Sequence, residues 1–301
     1  MTNPKEFFFV LHQSLCDCMC IFCDRGTRDY RRKVRKNLSN YDYRSESVSI
    51  QDVIADGKKD GAEKIVIGGN EPLTHPNIIK IVEFSKTVGF TTILIQTSGL
   101  RFSNENFVAA LVKRGLTDVM LPIYGSTKKI HDFIVGREGS FDLLISALKN
   151  LKLHDIGISF HTTFLIQNSQ DITNMVDEFN LSHVIFPFPM VNHFNFLRSD
   201  TNNPFQLYKK ICPRISDFPK AHADLLTIKI PCILGKYKPK KNPSLERHSS
   251  VGNKNLDEHP SNIKIKPDKC LECEVSDYCD GVHPYYLEIY GDNEFKPIIT
   301  K

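Results

Sequence analysis

The chain has 301 residues, of which 41% are hydrophobic and 25% charged, and its formal net charge is +4. This is an ordinary globular composition, and the length suits one core of about 200–250 residues with an appendage. The weak positive charge does not by itself indicate nucleic acid. Because no apolar run approaches the roughly 18 residues of a membrane span and no signal peptide is recognisable, we expect a cytoplasmic protein with no membrane partner.

Short β-rich runs alternate with helical runs over the first two thirds of the chain, a pattern that predicts parallel βαβ units. Several helical runs end at glycine, and one is predicted to begin with Ser103 as its cap. We therefore predict an α/β fold, a partial (β/α)6 TIM-like barrel whose active site lies at the carboxyl ends of its strands. The predicted strands are Phe7–Leu11, Lys64–Ile67, Thr91–Gln96, Asp118–Ile123, Gly157–Ile166 and His183–Phe188.

The alternation stops after Phe188, so we predict a domain boundary near residue 200. The barrel would occupy residues 1–200, and a small cysteine-rich extension would occupy residues 201–301. Within the extension, residues 236–262 are rich in Lys, Asn, Ser and Pro and nearly free of apolar anchors. This stretch is predicted to be a mobile loop.

Four of the nine cysteines lie within eight residues, in "CDCMCIFC". In a reducing compartment, dense cysteines more often bind metal than form disulfides. Cys16, Cys20 and Cys23 have the spacing C-x3-C-x2-C, and Cys18 is not part of this pattern. This spacing would also make a stripe on a helix, but a strand precedes the segment and "DRG" follows it, which indicates a loop. Three thiolates can hold an iron–sulfur cube and leave its fourth iron open.

This cysteine loop, with the aromatic Phe22 before its last cysteine, resembles the radical S-adenosylmethionine (radical SAM) superfamily over about residues 7–190. The resemblance implies a [4Fe–4S] cluster that binds SAM at the open iron. Reductive cleavage of SAM by this cluster would yield a 5′-deoxyadenosyl radical, which abstracts hydrogen from the substrate. Cys16, Cys20 and Cys23 would then be the catalytic cluster ligands, and Phe22 would pack near the adenine.

A second motif follows the second predicted strand, where "GGNEP" contains Gly69, Asn70 and Glu71. It resembles the G-G-E-P motif of the same family, with Asn70 where the family has a second glycine. Glycine lets the backbone approach a ligand closely. The resemblance implies that an acceptor in this segment holds the ammonium group of SAM.

Polar residues on the later strands give weaker signals. Thr97 and Ser98 follow the third strand at positions that contact the ribose or carboxylate of SAM in the family. His161, on the fifth strand, is a further cofactor-binding candidate. His131 and Asp132 resemble a catalytic dyad, but the first turn of a helix explains them more simply, and we assign them no chemistry.

The C-terminal cysteine group combines a C-x2-C-x5-C run with an upstream cysteine, and its predicted ligands are Cys232, Cys270, Cys273 and Cys279. Four thiolates can close either an iron–sulfur cube or a zinc site, and the spacing alone does not separate the two. The run resembles SPASM and twitch extensions, which implies a second, auxiliary [4Fe–4S] cluster. His283 stands where the SPASM pattern has its next cysteine, so a single-cluster, twitch-like extension fits better. Cys212 is a reserve ligand.

Residues 25–36 carry seven basic residues against one acid. This basic arm is either a solvated surface or a docking site for an electron donor such as flavodoxin or ferredoxin, or for an anionic substrate. Because interleaved aromatics are nearly absent, nucleic acid is disfavoured as a partner.

The resemblance favours an oxidoreductase that modifies a ribosomally made peptide by crosslinking, epimerisation or oxidation. The alternative substrate is a small molecule such as a sugar, cyclitol or nucleoside, on which the enzyme would act as a dehydrogenase. An alternative of another class is a non-catalytic zinc or iron–sulfur scaffold that binds RNA.

Overall fold

Seven strands form one fully parallel sheet in the computed structural model, which describes residues 5–11, 15–23, 43–187, 204–235, 248–250 and 264–299. Their order across the sheet is β6-β5-β4-β3-β2-β1-β7. The first six strands form a half-barrel, so the predicted partial barrel is confirmed. The strands are β1 Glu6–Leu11, β2 Lys64–Gly69, β3 Thr92–Gln96, β4 Asp118–Pro122, β5 Gly157–Thr163, β6 His183–Ile185 and β7 His248–Ser250.

Nine α-helices are present among the described residues, and most of them cover the outer face of the sheet. His131 and Asp132 lie near the start of a helix, as expected, and this helix, Lys128–Val135, is capped by Thr127. The predicted cap of the helix Glu105–Lys113 was wrong by one residue. Asn104, rather than Ser103, accepts a hydrogen bond from the N–H of Phe107. The helices are α1 Tyr43–Lys59, α2 Ile78–Thr87, α3 Glu105–Lys113, α4 Lys128–Val135, α5 Ser140–Leu153, α6 Ile172–Phe179, α7 Pro204–Ile211, α8 Pro231–Leu234 and α9 Pro284–Tyr290.

The first strand shows how the sequence separates the core from the cavity. Side chains alternate along a strand, and Phe7, Phe9 and Leu11 are buried in the main apolar core. The intervening Phe8 and Val10 line the cavity described below. Each fully buried side chain of this kind contributes about 1.5–3 kcal/mol to folding, so β1 anchors the cysteine loop that follows it.

The strand β7 lies within the segment that was predicted to be a mobile loop. It pairs with β1 in parallel, with His248 opposite Phe8 and Ser250 opposite Val10. Residues 248–250 are thus a strand within the predicted loop, and the remainder of residues 236–262 lies outside the described part of the chain. Backbone pairing with β1 makes these polar residues a strand although they carry no alternating apolar pattern.

The C-terminal segment shares its apolar core with the barrel. Tyr286 of α9 is fully buried, and its ring centroid lies 5.9 Å from that of Phe186, just after β6. The N–H of Ile215 donates to the Tyr286 hydroxyl at 2.8 Å, and that hydroxyl donates to Glu294. The predicted boundary near residue 200 lies outside the described residues. Across the residues that the structure describes, none of the helices is both long and apolar enough to cross a membrane.

Candidate functional site

A cavity of about 540 Å³ opens at the carboxyl ends of the strands. All the residues that the sequence predicted for the first site line it, namely Cys16, Cys20, Phe22, Cys23, Gly69, Asn70, Glu71, Thr97, Ser98 and His161. Cys18, Tyr124 and His131 also line it, although none of them was predicted for this site. The fold therefore brings together Cys16 and His161, two of the predicted residues, although they lie 145 positions apart in the chain. The basic arm of residues 25–36 lies outside the described residues.

The cysteine loop is held in place by backbone hydrogen bonds to the end of α4. The N–H of Met19 donates to the carbonyl of Val135, and that of Ile21 donates to the carbonyl of Ile134, both at 2.9 Å. On its other side, the Thr74 hydroxyl donates to the carbonyl of Leu15 at 2.7 Å. These bonds fix the path of the loop although it has no regular secondary structure of its own.

The four thiols of the loop differ in exposure. Cys16, Cys20 and Cys23 are partly exposed, whereas Cys18 is only 3% exposed and packs with Leu100. The N–H of Cys18 donates to the sulfur of Cys16 at 3.4 Å. The hydrogen bond with Cys18, and then burial, raise the pKa of Cys16. Cys16 therefore holds its proton until a cation compensates the charge of its thiolate.

These observations fit an iron–sulfur cluster at the first site. Soft thiolate donors from one loop in apolar surroundings are the usual ligands of such clusters. Among the residues that the structure describes, no three His, Cys, Asp or Glu side chains are placed closely enough to hold a single metal ion. The thiolate donors and their apolar surroundings are nevertheless those that an iron–sulfur cluster requires.

Glu71 joins the ends of β2 and β3. Its carboxylate accepts hydrogen bonds from the N–H of Leu73 at 3.1 Å, the hydroxyl of Thr97, and the N–H of Ser98 at 2.8 Å. Burial raises the pKa of Glu71, and the hydrogen bonds from Ser98 and Thr97 oppose this rise. Thr97 and Ser98, which the sequence assigned separately to SAM, thus also organise the carboxylate beside them.

Gly69 is required by the packing of β2 against β1. Its φ angle is +127°, and a Cβ atom there would lie 2.1 Å from the carbonyl oxygen of Leu11. The next residue, Asn70, donates its N–H to the same oxygen at 3.1 Å. The glycine was expected to admit a ligand, but the close approach in the structure is to the neighbouring strand.

Tyr124 lies two residues beyond β4, against the cysteine loop. Its ring makes an edge contact with Phe22, with centroids 5.2 Å apart, and only 7% of the residue is exposed. Its N–H donates to Nδ1 of His131 at 3.3 Å, and its carbonyl accepts from Nδ2 of Asn168 at 3.1 Å. Burial, and then the thiols of Cys20 and its neighbours, raise the pKa of Tyr124 well above its ordinary value.

His131 and Asp132, which resemble a catalytic dyad in the sequence, have separate surroundings in the structure. Burial lowers the pKa of His131 to about 4, so its ring is neutral at physiological pH. Asp132 accepts hydrogen bonds from the N–H of Gly139, the hydroxyl of Ser140 and the N–H of Phe141, and thereby caps α5. These contacts account for both residues without chemistry.

His161 is a buried imidazole that faces the cavity. It stacks on His183 of the neighbouring strand, with centroids 5.5 Å apart and planes 7° from parallel. Burial, and then His183, lower the pKa of His161 to about 3. Within the described ranges, its Nδ1 atom is buried and has no hydrogen-bond partner. The ring is therefore a neutral group with unused hydrogen-bonding capacity.

The C-terminal cysteines converge on a second, much smaller cavity, which is lined by Cys232, Cys270, Cys273 and Cys279. The Cys273 sulfur accepts the N–H of Ile298 at 3.4 Å. Burial is the first cause that raises the pKa of Cys232, and the neighbouring thiols add to it. Cys212, the reserve ligand, is not among the lining residues and is buried in the core beside Tyr208.

Comparisons with known proteins agree with this geometry. The AdoMet-dependent heme synthase of Methanosarcina barkeri is 26% identical over 113 residues, which cover 38% of this chain and 32% of that protein. The PqqA peptide cyclase of Ruegeria pomeroyi is 24% identical over 117 residues, which cover 39% of this chain and 31% of that protein. The matched segments thus span about a third of the length of these curated relatives.

The fold is also similar to that of a larger protein of known structure. The crystal structure of Streptococcus suis SuiB bound to its precursor peptide SuiA superposes with a TM-score of 0.53 at 16% identity, covering 99% of this chain and 76% of that one. The sequence model of the Radical SAM superfamily matches residues 10–179, more than half of the chain. The chain belongs to the Radical SAM superfamily.

Proposed function

We propose that this protein cleaves SAM reductively and uses the product to abstract hydrogen from a peptide side chain or backbone. The observation that carries the proposal is the convergence of Cys16, Cys20 and Cys23 on one cavity with Glu71 and its hydrogen-bonded partners. Membership of the Radical SAM superfamily implies a [4Fe–4S] cluster and SAM. When bound, the reduced cluster supplies the electron that breaks a carbon–sulfur bond of SAM.

The residues of the chain would bind and orient SAM beside that cluster. Cys16, Cys20 and Cys23 hold the cluster, and Phe22 supports the adenine. Glu71 would supply a negative charge for the SAM ammonium, and the donors from Thr97 and Ser98 keep this carboxylate in place. The neutral His161 ring offers a hydrogen bond to the substrate or to the ribose. The apolar walls of Phe8, Val10 and Leu100 exclude water.

The charge of the cavity supports a peptide rather than a phosphorylated small molecule. Among the described residues that line it, Glu71 carries the one formal charge besides the thiols, and none is Lys or Arg. Phosphate groups are normally bound by basic side chains or helix N-termini. The peptide cyclase among the relatives supports the same substrate class. A sugar, cyclitol or nucleoside remains the alternative substrate.

The C-terminal cysteines are proposed to hold an auxiliary [4Fe–4S] cluster. Four cysteines, from α8 and from the turns after residue 267, face one small space beside Phe295; Cys270 is buried and the other three are partly exposed. A cluster closed by four thiolates has no open iron, so its role would be electron transfer. An acidic flavodoxin or ferredoxin is the proposed electron donor, docked on the basic arm.

The test begins with oxygen-free reconstitution and a count of iron and sulfide. Dithionite and SAM are then added, and we expect release of 5′-deoxyadenosine. Cys16→Ala, Cys20→Ala and Cys23→Ala should each abolish this release, while Cys212→Ser, a buried cysteine outside both cavities, serves as the matched control. Failure of the well-loaded wild-type protein to release 5′-deoxyadenosine would contradict the proposal.

The substrate class needs a separate experiment. A short precursor peptide encoded beside the gene is produced with deuterium at its carbon-bound positions and is incubated with enzyme and SAM. We expect one deuterium in the recovered 5′-deoxyadenosine. If deuterium comes only from a labelled sugar, cyclitol or nucleoside, the small-molecule alternative replaces the peptide.

A further inference from the structure

Tyr124 lines the same cavity as the cysteine loop and is largely buried. Within the described part of the chain, no hydrogen bond from its hydroxyl to a protein atom is present, although the residue is only 7% exposed. Buried tyrosine hydroxyls normally find a partner. Whatever fills the cavity is therefore the expected partner of this group.

The backbone of Tyr124 is held in place by two buried side chains. His131 and Asn168 hold the N–H and the carbonyl of Tyr124, and these two partners are 2% and 1% exposed. Asn168 is itself fully engaged, because its Oδ1 accepts the N–H of Leu165 at 2.8 Å and its Nδ2 also donates to the carbonyl of Thr163 at 3.0 Å. Such a framework presents the ring in one orientation and preorganises the hydroxyl.

The ring is packed against the loop that holds the proposed cluster ligands. Tyr124 belongs to a small apolar cluster with Cys18 and Leu100, against which Cys16, Cys20 and Phe22 pack. The contact with Phe22 places the phenol next to the residue that precedes Cys23. Among the cavity-lining hydroxyls of the described residues, that of Thr97 is already bonded to Glu71, whereas that of Tyr124 is uncommitted.

We propose that the Tyr124 hydroxyl donates a hydrogen bond to a sulfur atom of the [4Fe–4S] cluster held by Cys16, Cys20 and Cys23, and so raises its reduction potential. The inference rests on the proposed function, because it requires the cluster. Hydrogen bonds to cluster sulfurs stabilise the more negative, reduced state and are among the determinants of iron–sulfur potentials. Tyr124 is thus a positioning residue that tunes the cluster and takes no part in bond breaking.

The experiment compares wild-type protein with Tyr124→Phe after oxygen-free reconstitution. Iron and sulfide are counted, and the midpoint potential of the N-terminal cluster is measured by redox titration with electron paramagnetic resonance, first without SAM. The signal that changes when SAM is added identifies the N-terminal cluster. We expect an unchanged iron content and a shift of the midpoint potential to more negative values. Tyr290→Phe, which removes a hydroxyl bonded to the carbonyl of Cys212, should leave this potential unchanged.

A second variant guards against loss of folding or of the cluster. Replacement of Tyr124 by 3,5-difluorotyrosine keeps the shape and makes the hydroxyl a stronger donor, so the potential should shift to more positive values. Equal potentials in all three proteins would overturn the inference, and a difference that appears only with SAM would assign the hydroxyl to SAM instead. Absence of any cluster in the wild-type protein would instead contradict the proposed function.

Discussion

The backbone N–H of Ser98 lies 2.8 Å from Oε2 of Glu71, so the loop after β3 is tied directly to the loop after β2. With the bond from Thr97 to the other oxygen, this contact makes one buried carboxylate the centre of the cavity wall. The arrangement holds Glu71 where an ammonium group could bind. It also makes the ends of the two strands depend on each other.

Replacing Glu71 with Gln should therefore weaken both stability and SAM binding. The amide of Gln would direct an N–H donor toward the groups that donate hydrogen bonds to the carboxylate of Glu71. An unsatisfied buried group of this kind costs about 1–3 kcal/mol. Urea unfolding and equilibrium dialysis of SAM against the reconstituted protein measure the two effects. Glu83→Gln, at an exposed ion pair with Arg114, is the control. Equal stability and affinity in Glu71→Gln would contradict this account of the carboxylate.

Much of the fold could be predicted because the buried strands are short runs of β-branched, aromatic and other apolar residues bounded by turns. The cysteine loop was equally visible, because its spacing is local. The hydrogen bonds of Tyr124 were not visible, since His131 and Asn168 lie 7 and 44 residues further along and no local pattern links them. The strand β7 was missed for a related reason, because its residues become a strand only through backbone pairing with β1.

Gly69→Ala should be strongly destabilising. The new Cβ would lie 2.1 Å from the carbonyl oxygen of Leu11, in a backbone conformation that alanine disfavours, so we expect a loss of about 3 kcal/mol or more. Gly61→Ala is the matched control, because its φ is +87° but no atom lies within 4 Å of the added carbon, and it should cost about 1 kcal/mol. Chemical denaturation measures both, and equal losses would contradict the close approach of β2 to β1.

Acidification should destabilise the protein partly through His161. Its pKa is lowered to about 3 in the folded state, so only the unfolded chain takes up this proton as the pH falls below the ordinary value of 6.5. Stability is fully present above that pH and falls by about 1.4 kcal/mol per pH unit below it. Denaturation between pH 7 and pH 4 should show a shallower dependence for His161→Gln than for wild type. An equal pH dependence in the two proteins would contradict the burial of a neutral imidazole at this position.

Cys18→Ala should keep the N-terminal cluster, because Cys18 is buried and out of step with the other three cysteines. We expect the iron content of the wild-type protein, with a modest loss of stability of about 1 kcal/mol from the missing buried sulfur. Iron analysis and thermal unfolding measure the two quantities. A loss of iron as large as that of Cys20→Ala would make Cys18 a ligand and would contradict the assignment.

Cys270→Ala combined with Cys273→Ala should remove the auxiliary cluster and leave the first one intact. The two cysteine groups line separate cavities, so iron should fall by about half while SAM cleavage persists. Elemental analysis distinguishes this outcome from bound zinc. Unchanged iron and sulfide would remove these cysteines from the ligand set.

The most direct test is electron–nuclear double resonance of the reduced, oxygen-free protein with SAM that carries nitrogen-15 in its amino group and oxygen-17 in its carboxylate. An N-terminal cluster with one open iron predicts hyperfine coupling to both labels in wild-type protein and none in Cys20→Ala. A reduced [4Fe–4S] signal that shows no coupling to either label, or zinc in place of iron at Cys16, Cys20 and Cys23, would contradict the account.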